Sequence, residues 1–524
     1  MKWTLLTSLC AAMMFAQQPA PKMVVSGTVV NALTGEKLEA VRVVLLIEPE
    51  RIREAASMIT DGDGSFRFEV PKGNYGLVAE RNGLGRQSYG GRAYADNFGV
   101  GIIGDGSNAS ENLTFQLFPG ASITGKVTDE FGEPVGSALV QLLMNWYGGG
   151  KRRVAIRGYS YTDDRGEYRF GNLAAGSYYM NVSGTPWHSQ RRSNADLPKA
   201  AYIPIYYPNT SNPLSAAPLK LKAGDEARAD FTLQERMGHQ LTITISGALV
   251  SGSRLNLTAA GVEGVNRFQH VTTLHGAGEV TIPSVPPGRY NVEINSLLYG
   301  RGASGRATVQ VDNSDEHVAI SVAPPTRVDG KVTCDGKPVP TSMPVTVSLF
   351  QETLNRGTSA RLGADGSFQV PSLGPDQYLI LANGSKDCYV NRVTLNGKEL
   401  SDRYITTASE NIEGLSIEML SGFAQVKGFV TRKGGRVAGV IVLLAPAQDI
   451  RTPGAYLSFK TDSDGSFDFR TVQPGQYLLY AVDGTDLEFT NRAVMQPYLQ
   501  KAVSIQVESH GKLIQDVELT ELQQ

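Results

Sequence analysis

The spacing of the scarce chemistry-bearing residues decides which reactions are open to the chain. Its 524 residues include six His, three Cys and three Trp. A zinc peptidase needs a His-x-x-Glu pair that faces one ion. No His here has Glu three positions later. His275 and Glu279 are four apart, but Gly276 and Gly278 between them make that stretch a loop. A Gly-x-Ser-x-Gly elbow for acyl transfer is also missing. No nucleophile, base and orienting group stand out together. The expectation is a non-catalytic chain with no metal and no cofactor.

The residues that do cluster are aromatic. Trp146 and Trp187 lie in one stretch with Tyr147, Tyr159, Tyr161, Tyr202, Tyr206 and Tyr207. Lys151, Arg152, Arg153, Arg191 and Arg192 are nearby. Flat apolar rings beside hydrogen-bond donors can stack on the C–H faces of sugars. Trp146 precedes Gly148-Gly149-Gly150, a loop mouth, and Trp187 follows Pro186 in a polar loop. Trp146, Trp187, Tyr206 and Tyr207 are therefore the expected ligand-binding residues, with a polysaccharide as ligand. The competing reading is strand packing plus two solvated loops. Cys334 and Cys388 fall within one repeat, and an oxidising compartment permits a disulfide between them.

These residues must be held by the elements around them, and those elements repeat. A short strand carrying a Gly opens each copy: Val25-Ser26-Gly27-Thr28-Val29, Ile123-Thr124-Gly125-Lys126-Val127, Val328-Asp329-Gly330-Lys331-Val332 and Val426-Lys427-Gly428-Phe429-Val430. A turn and an alternating apolar strand follow, at Val41 to Ile47, Ala138 to Leu143, Val345 to Phe350 and Val440 to Leu444. Next comes a turn that leads into an aromatic strand, as in Thr60-Asp61-Gly62-Asp63-Gly64-Ser65-Phe66 and Thr461-Asp462-Ser463-Asp464-Gly465-Ser466-Phe467. Asp-Gly favours a turn with positive φ. A Gly-x-Tyr or Pro-x-x-Tyr strand comes after it, at Tyr75, Tyr178, Tyr378 and Tyr477. A degenerate copy keeps Pro287-Gly288-Arg289-Tyr290 without the Asp-Gly turn. Alternating strands such as Leu113 to Leu117, Ala229 to Leu233 and Val517 to Leu519 end the copies. Alternation and turn punctuation predict an all-β chain, a tandem array of five small Greek-key-like β-sandwiches. No helix-period segment follows the N-terminus. The expected modules are 21–119, 120–236, 237–324 (degenerate), 325–421 and 422–524. Residues 1–20 read as a signal peptide: Lys2 leads the apolar run Trp3 to Phe15.

The four clear copies resemble the carboxypeptidase regulatory-like domain, a prealbumin-like β-sandwich related to the B-type repeats of bacterial adhesins. The module order is similar to secreted proteins of soil bacteria. The resemblance implies a carbohydrate-binding-like fold and no peptidase activity of its own. Adhesin repeats of this type can join Lys to Asn, but Lys126, Lys331 and Lys427 flank apolar rows and are expected to face outward. The hard oxygen donors Asp61, Asp63, Asp462 and Asp464 suit calcium, yet they lack the twelve-residue loop and read as turn residues.

With 49 Lys and Arg against 51 Asp and Glu, the net charge of −2 gives no reason for a nucleic-acid partner. No later run of about 18 apolar residues predicts a membrane helix. With its signal peptide, the chain is expected to be exported and to bind polysaccharide or other cell-envelope components. The alternative is a structural rod, spacer or adhesive scaffold with no small ligand.

Overall fold

The computed structural model describes residues 21–521 except 49–52, 92–98, 104–107, 149–150, 191–199, 213–214, 250, 260–268, 296–303, 341–342, 352–355, 386, 409, 449–453 and 485–486. The expected signal peptide lies outside the described residues. The chain is nearly all strand, and it folds as tandem β-sandwiches. Five large apolar cores, among the described residues, each draw on one stretch: Met23 to Leu117, Ala121 to Leu233, Leu241 to Val322, Val328 to Met419 and Ala424 to Leu519. They are called modules one to five below.

One topology recurs in all of them. The opening strand lies between the strand after the turn, which pairs antiparallel, and the last strand of the module, which pairs parallel. In module one, Lys22–Asn31 sits between Ser65–Pro71 and Leu113–Leu117. In module four, Thr326–Cys334 sits between Ser367–Leu373 and Ile412–Ser421. A second sheet closes each core, for example Arg356–Arg361, Thr346–Gln351, Asp376–Asn383 and Tyr404–Thr407. Parallel pairing of first and last strands needs a long crossover, so a module closes only when its whole length has folded.

The Gly of the opening strand is where three strands crowd. Gly27, Gly125, Gly330 and Gly428 sit directly across from Phe66, Tyr168, Phe368 and Phe467, the aromatic residues after the turn. A side chain there would strike a carbonyl of the last strand: Leu113, Ala229, Leu415 or Gln515. The ring also occupies the space, since an added Cβ on Gly330 would lie 2.6 Å from Phe368 Cζ. Tyr168 uses the same proximity to donate its hydroxyl to the Ala229 carbonyl. Glycine in a strand permits this close approach, and the ring covers the gap it leaves. The degenerate module three shows the converse. Buried Ile243 takes the glycine position, Val280 lies across from it, and Leu241–Gly247 pairs with Glu316–Val322 without a break.

The later tyrosine has an equally local role. In every module its hydroxyl donates to the carbonyl four residues upstream: Tyr75 to Pro71, Tyr178 to Ala174, Tyr290 to Pro286, Tyr378 to Gly374 and Tyr477 to Gln473. Burial pushes Tyr477 up to about 12. The threonine that starts the turn motif is buried and bridges two strands. Thr60 donates to Leu38 O and accepts from Val41 N–H, and Thr162 and Thr461 repeat both bonds. Asp61 accepts from the N–H groups of Asp63 and Ser65. Those bonds, the Ser65 backbone bond foremost, hold its carboxyl below the usual range. This is turn chemistry. Lys331 and Lys427 are exposed and Lys126 is half-buried.

Four readings are corrected. Ala229 to Leu233 is not one alternating strand: it splits into Glu226–Arg228 and Phe231–Thr232, because Ala229 turns its carbonyl onto Gly125. Val440 to Leu444 does not alternate in burial, since Val440 and Val442 to Leu444 are all buried. The reason is the third correction, a helix, Arg492–Leu499. Its Met495 packs with Leu443, Ala445, Tyr480 and Val482 on the outer face of that sheet. A strand covered on both faces reads as a continuous apolar run. The fourth concerns the rod. Ser463 N–H donates to Gly101 O at 2.8 Å, so module five touches module one and the array turns back on itself.

Cys334 and Cys388 are bonded, with Cα atoms 6.5 Å apart and a sequence separation of 54. Replacing both by Ser is expected to lower the stability of module four by about 2–4 kcal/mol, read from denaturant unfolding of the oxidised chain. Gly428→Ala is expected to cost module five about 3 kcal/mol or more, because the methyl meets fixed backbone. Thermal unfolding in which the module-five transition does not move would contradict the crowding argument.

Candidate functional site

The exposed rings of the molecule are unevenly distributed. Among the described residues, the exposed aromatic side chains are Phe131, Tyr159, Tyr161 and Trp187, and all belong to module two. Their supports differ. Tyr159 and Tyr161 lie on Lys151–Tyr161, the outermost strand of its sheet. Residues two apart in a strand share a face. The two rings accordingly meet edge to face, with centroids 6.5 Å apart. Trp187, 73% exposed, begins the short helix Trp187–Gln190. Ser189 is buried, and its N–H donates to Pro186 O, which anchors the turn while the indole stays outside.

A chain of polar contacts joins Trp187 to Phe131. The indole meets the His188 ring edge-on at 5.7 Å. His188 Nε2 is 3.0 Å from Glu235 Oε2. The Glu235 N–H donates to Glu130 Oε2 at 2.7 Å, and Phe131 follows Glu130. Phe131 itself stands in a turn held by Asp129, whose Oδ1 accepts from the N–H groups of Phe131 and Glu133. Beneath them Tyr202 pairs in register with Glu235. Its hydroxyl is pushed up to about 12, first by burial and then by the carboxylates of Asp129, Glu235 and Glu130. This end of module two therefore presents two exposed rings and three carboxylates. Among the described residues, no three His, Cys, Asp or Glu side chains converge to hold a metal ion.

The sequence-predicted site is only partly assembled. Trp187 is exposed, as a stacking ring requires. Trp146 lies in the strand Leu139–Gly148 opposite Arg153, and its side chain is outside the described residues. Tyr206 is corrected: it is 2% exposed and offers no face to a ligand. It ends a row that crosses the sheet through Tyr159, Gln141, Asn181 and Tyr206. Only the Tyr159 end of that row is open, at 70% exposure. Tyr207 is corrected too. It is half-buried and packs edge-on against Phe231 of the inner core, 6.3 Å between centroids. Sequence reasoning missed Phe131, Glu130 and Glu235 as site residues. Phe131 had a signal: a phenylalanine in a Gly turn where other copies carry Leu33, Gly336 and Gly434. Glu235 had none, since it is Tyr202 and His188 that bring it into the site.

Residues 24–97 and 122–234 match the carboxypeptidase regulatory-like domain. No curated protein matches the chain. Among solved structures, the Bacillus anthracis TIE protein is similar at 13% identity, covering 77% of this chain and 75% of that one, with a TM-score of 0.18. A streptococcal ancillary pilin is similar at 11% identity, covering 53% and 98%, with a TM-score of 0.19. The full-length RrgB pilus protein from Streptococcus pneumoniae is similar at 9% identity, covering 77% and 98%, with a TM-score of 0.13.

Inside the row, Asn181 is fully buried, and neither its Oδ1 nor its Nδ2 has a hydrogen-bond partner. Burying such an amide costs free energy that an apolar residue of similar size avoids. Asn181→Leu is expected to raise the stability of module two by about 1 kcal/mol in urea unfolding. A loss of the same size would mean that the amide is hydrogen-bonded in solution.

Proposed function

We propose that this chain, two of whose five modules are carboxypeptidase regulatory-like domains, is a non-catalytic, exported binding protein that holds a polysaccharide on module two. The observation that carries the reading is that, among the described residues, the exposed rings all belong to that module. Every module has Phe or Tyr in its core, so aromatic content alone is no signal. Rings left in water, on loops and an edge strand outside the shared core, are different. Their exposure forgoes the gain from burying them, which is a reason to look for a ligand there.

The chemistry suits a sugar polymer. Trp187 and Phe131 offer flat apolar faces, and Asp129, Glu130 and Glu235 accept hydrogen bonds from hydroxyls. The bonds described above use one oxygen of each carboxylate, and an ionised carboxylate has about four lone-pair sites. Tyr159 and Tyr161 offer a second stacking strip on the sheet edge. A disulfide in module four fits an oxidising compartment outside the cytosol. A spacer or scaffold is the second reading. It is favoured by short junctions, such as Leu117 to Ala121 and Ser421 to Ala424, which limit freedom between neighbours.

Isothermal titration of the full chain against cell-wall polysaccharides separates the two. Trp187→Ala is expected to weaken binding by about 1–3 kcal/mol, and Tyr159→Ala with Tyr161→Ala by a similar amount. Leu33→Ala, an exposed apolar truncation in module one, is expected to leave it unchanged. Binding that survives both ring variants refutes the site. A chain that binds no polymer at all supports the scaffold.

A further inference from the structure

We infer that module one and module five latch onto each other in solution, so that the array rests closed end to end and extends only when this latch opens. The contact is built backbone to backbone. The strand Gly101–Ile103 is an edge strand that pairs with Asn74–Arg81 on one side. On its other side the Ser463 N–H donates to Gly101 O at 2.8 Å, and the Ile103 N–H donates to Ser463 Oγ at 3.3 Å. One residue of module five thus satisfies the outward groups of an edge, with its hydroxyl in place of a carbonyl. Open strand edges seek partners of this kind. Lys460 Nζ adds a bond to Gly90 O at 2.9 Å. Val100, almost fully buried, packs where a Cβ on Gly439 would lie 3.3 Å from its Cγ2.

Two features make the pairing specific. A side chain on Gly101 would meet the Asp462 carboxylate, so a residue as large as leucine there must push that side chain out of the contact. The partner turn is one of four copies of the same motif. At the position of Ser463 the other copies carry Gly62, Asp164 and Ala364. Module five alone places a hydroxyl there. Among the described residues, the latch shows three hydrogen bonds and one buried valine, and it joins bodies whose cores are independent. Its opening leaves every module folded, which makes the closed and extended forms two states of one folded chain.

The test uses the full chain. Gly101→Cys combined with Asp462→Cys is oxidised at low protein concentration, and disulfides are mapped by peptide mass spectrometry. A bond between positions 101 and 462 within one chain is the expected result. Small-angle scattering is then expected to give a larger radius of gyration for Gly101→Leu than for the unmodified chain. Ser463→Gly, which installs the residue module one carries at this position, is expected to shift scattering the same way without harm to folding. No intrachain bond, or an unmodified chain already as extended as both variants, overturns the latch. A bond formed only between two chains overturns it as well, and assigns the Ser463 turn to a second copy.

Discussion

A ring laid across a residue with no side chain governs these modules. Where the opening strand has glycine, the aromatic residue after the turn lies across from it, and a carbonyl of the last strand presses on the same atom. Three segments distant in sequence are thereby fixed relative to one another. The turn motif sets the aromatic strand, and the aromatic strand sets the register of the opening strand. At the crowded glycine the last strand shifts register in module four and loses its pairing in modules two and five, around Ala229 and Gln515. Module three shows what happens without the pair. It keeps the topology and pairs its first and last strands residue by residue, with Ile243 and Val280 facing each other where the other modules have glycine and a ring.

Such a frame leaves the ends and edges of the module free to differ. Module two uses that freedom for rings and carboxylates. Module five uses it for a helix over the outer face of its sheet. Module one leaves a three-residue edge strand that module five completes. None of these features disturbs the shared core, because each lies on the side of a sheet that the core does not need. The differences between modules are in this sense surface features carried on one repeated interior.

The ring–glycine pair also explains why the repeats are short and disulfide-poor. Each core is small, yet it has a tyrosine hydroxyl bonded four residues back, and modules one, two and five add a threonine that bridges two strands. Buried polar groups that find partners hold the turns at little cost. Asn181 is the counter-example, with two polar atoms buried and unpartnered in the one module whose outer face carries the exposed rings.

Much of the fold was legible because it is written locally. The glycine of the turn motif needs positive φ, which Gly64, Gly166, Gly366 and Gly465 all adopt. Alternation marks a strand with one wet face, so Leu113 to Leu117 reads correctly in isolation. The same logic misjudged Val440 to Leu444, because its second face is covered by a helix some fifty residues later. Trp187 was legible as a ring in a polar loop. Tyr206 was not legible as buried, since its neighbours in sequence do not say what lies over the sheet face it shares with Asn181. The contact of Gly101 with Ser463 lay still further from reach, with 360 residues between the partners of its hydroxyl bond. Local chemistry determined the turns, the strands and the module class. Only the tertiary structure decided which faces are covered and which rings stay in water, because coverage comes from residues that are close in space and far apart in the chain.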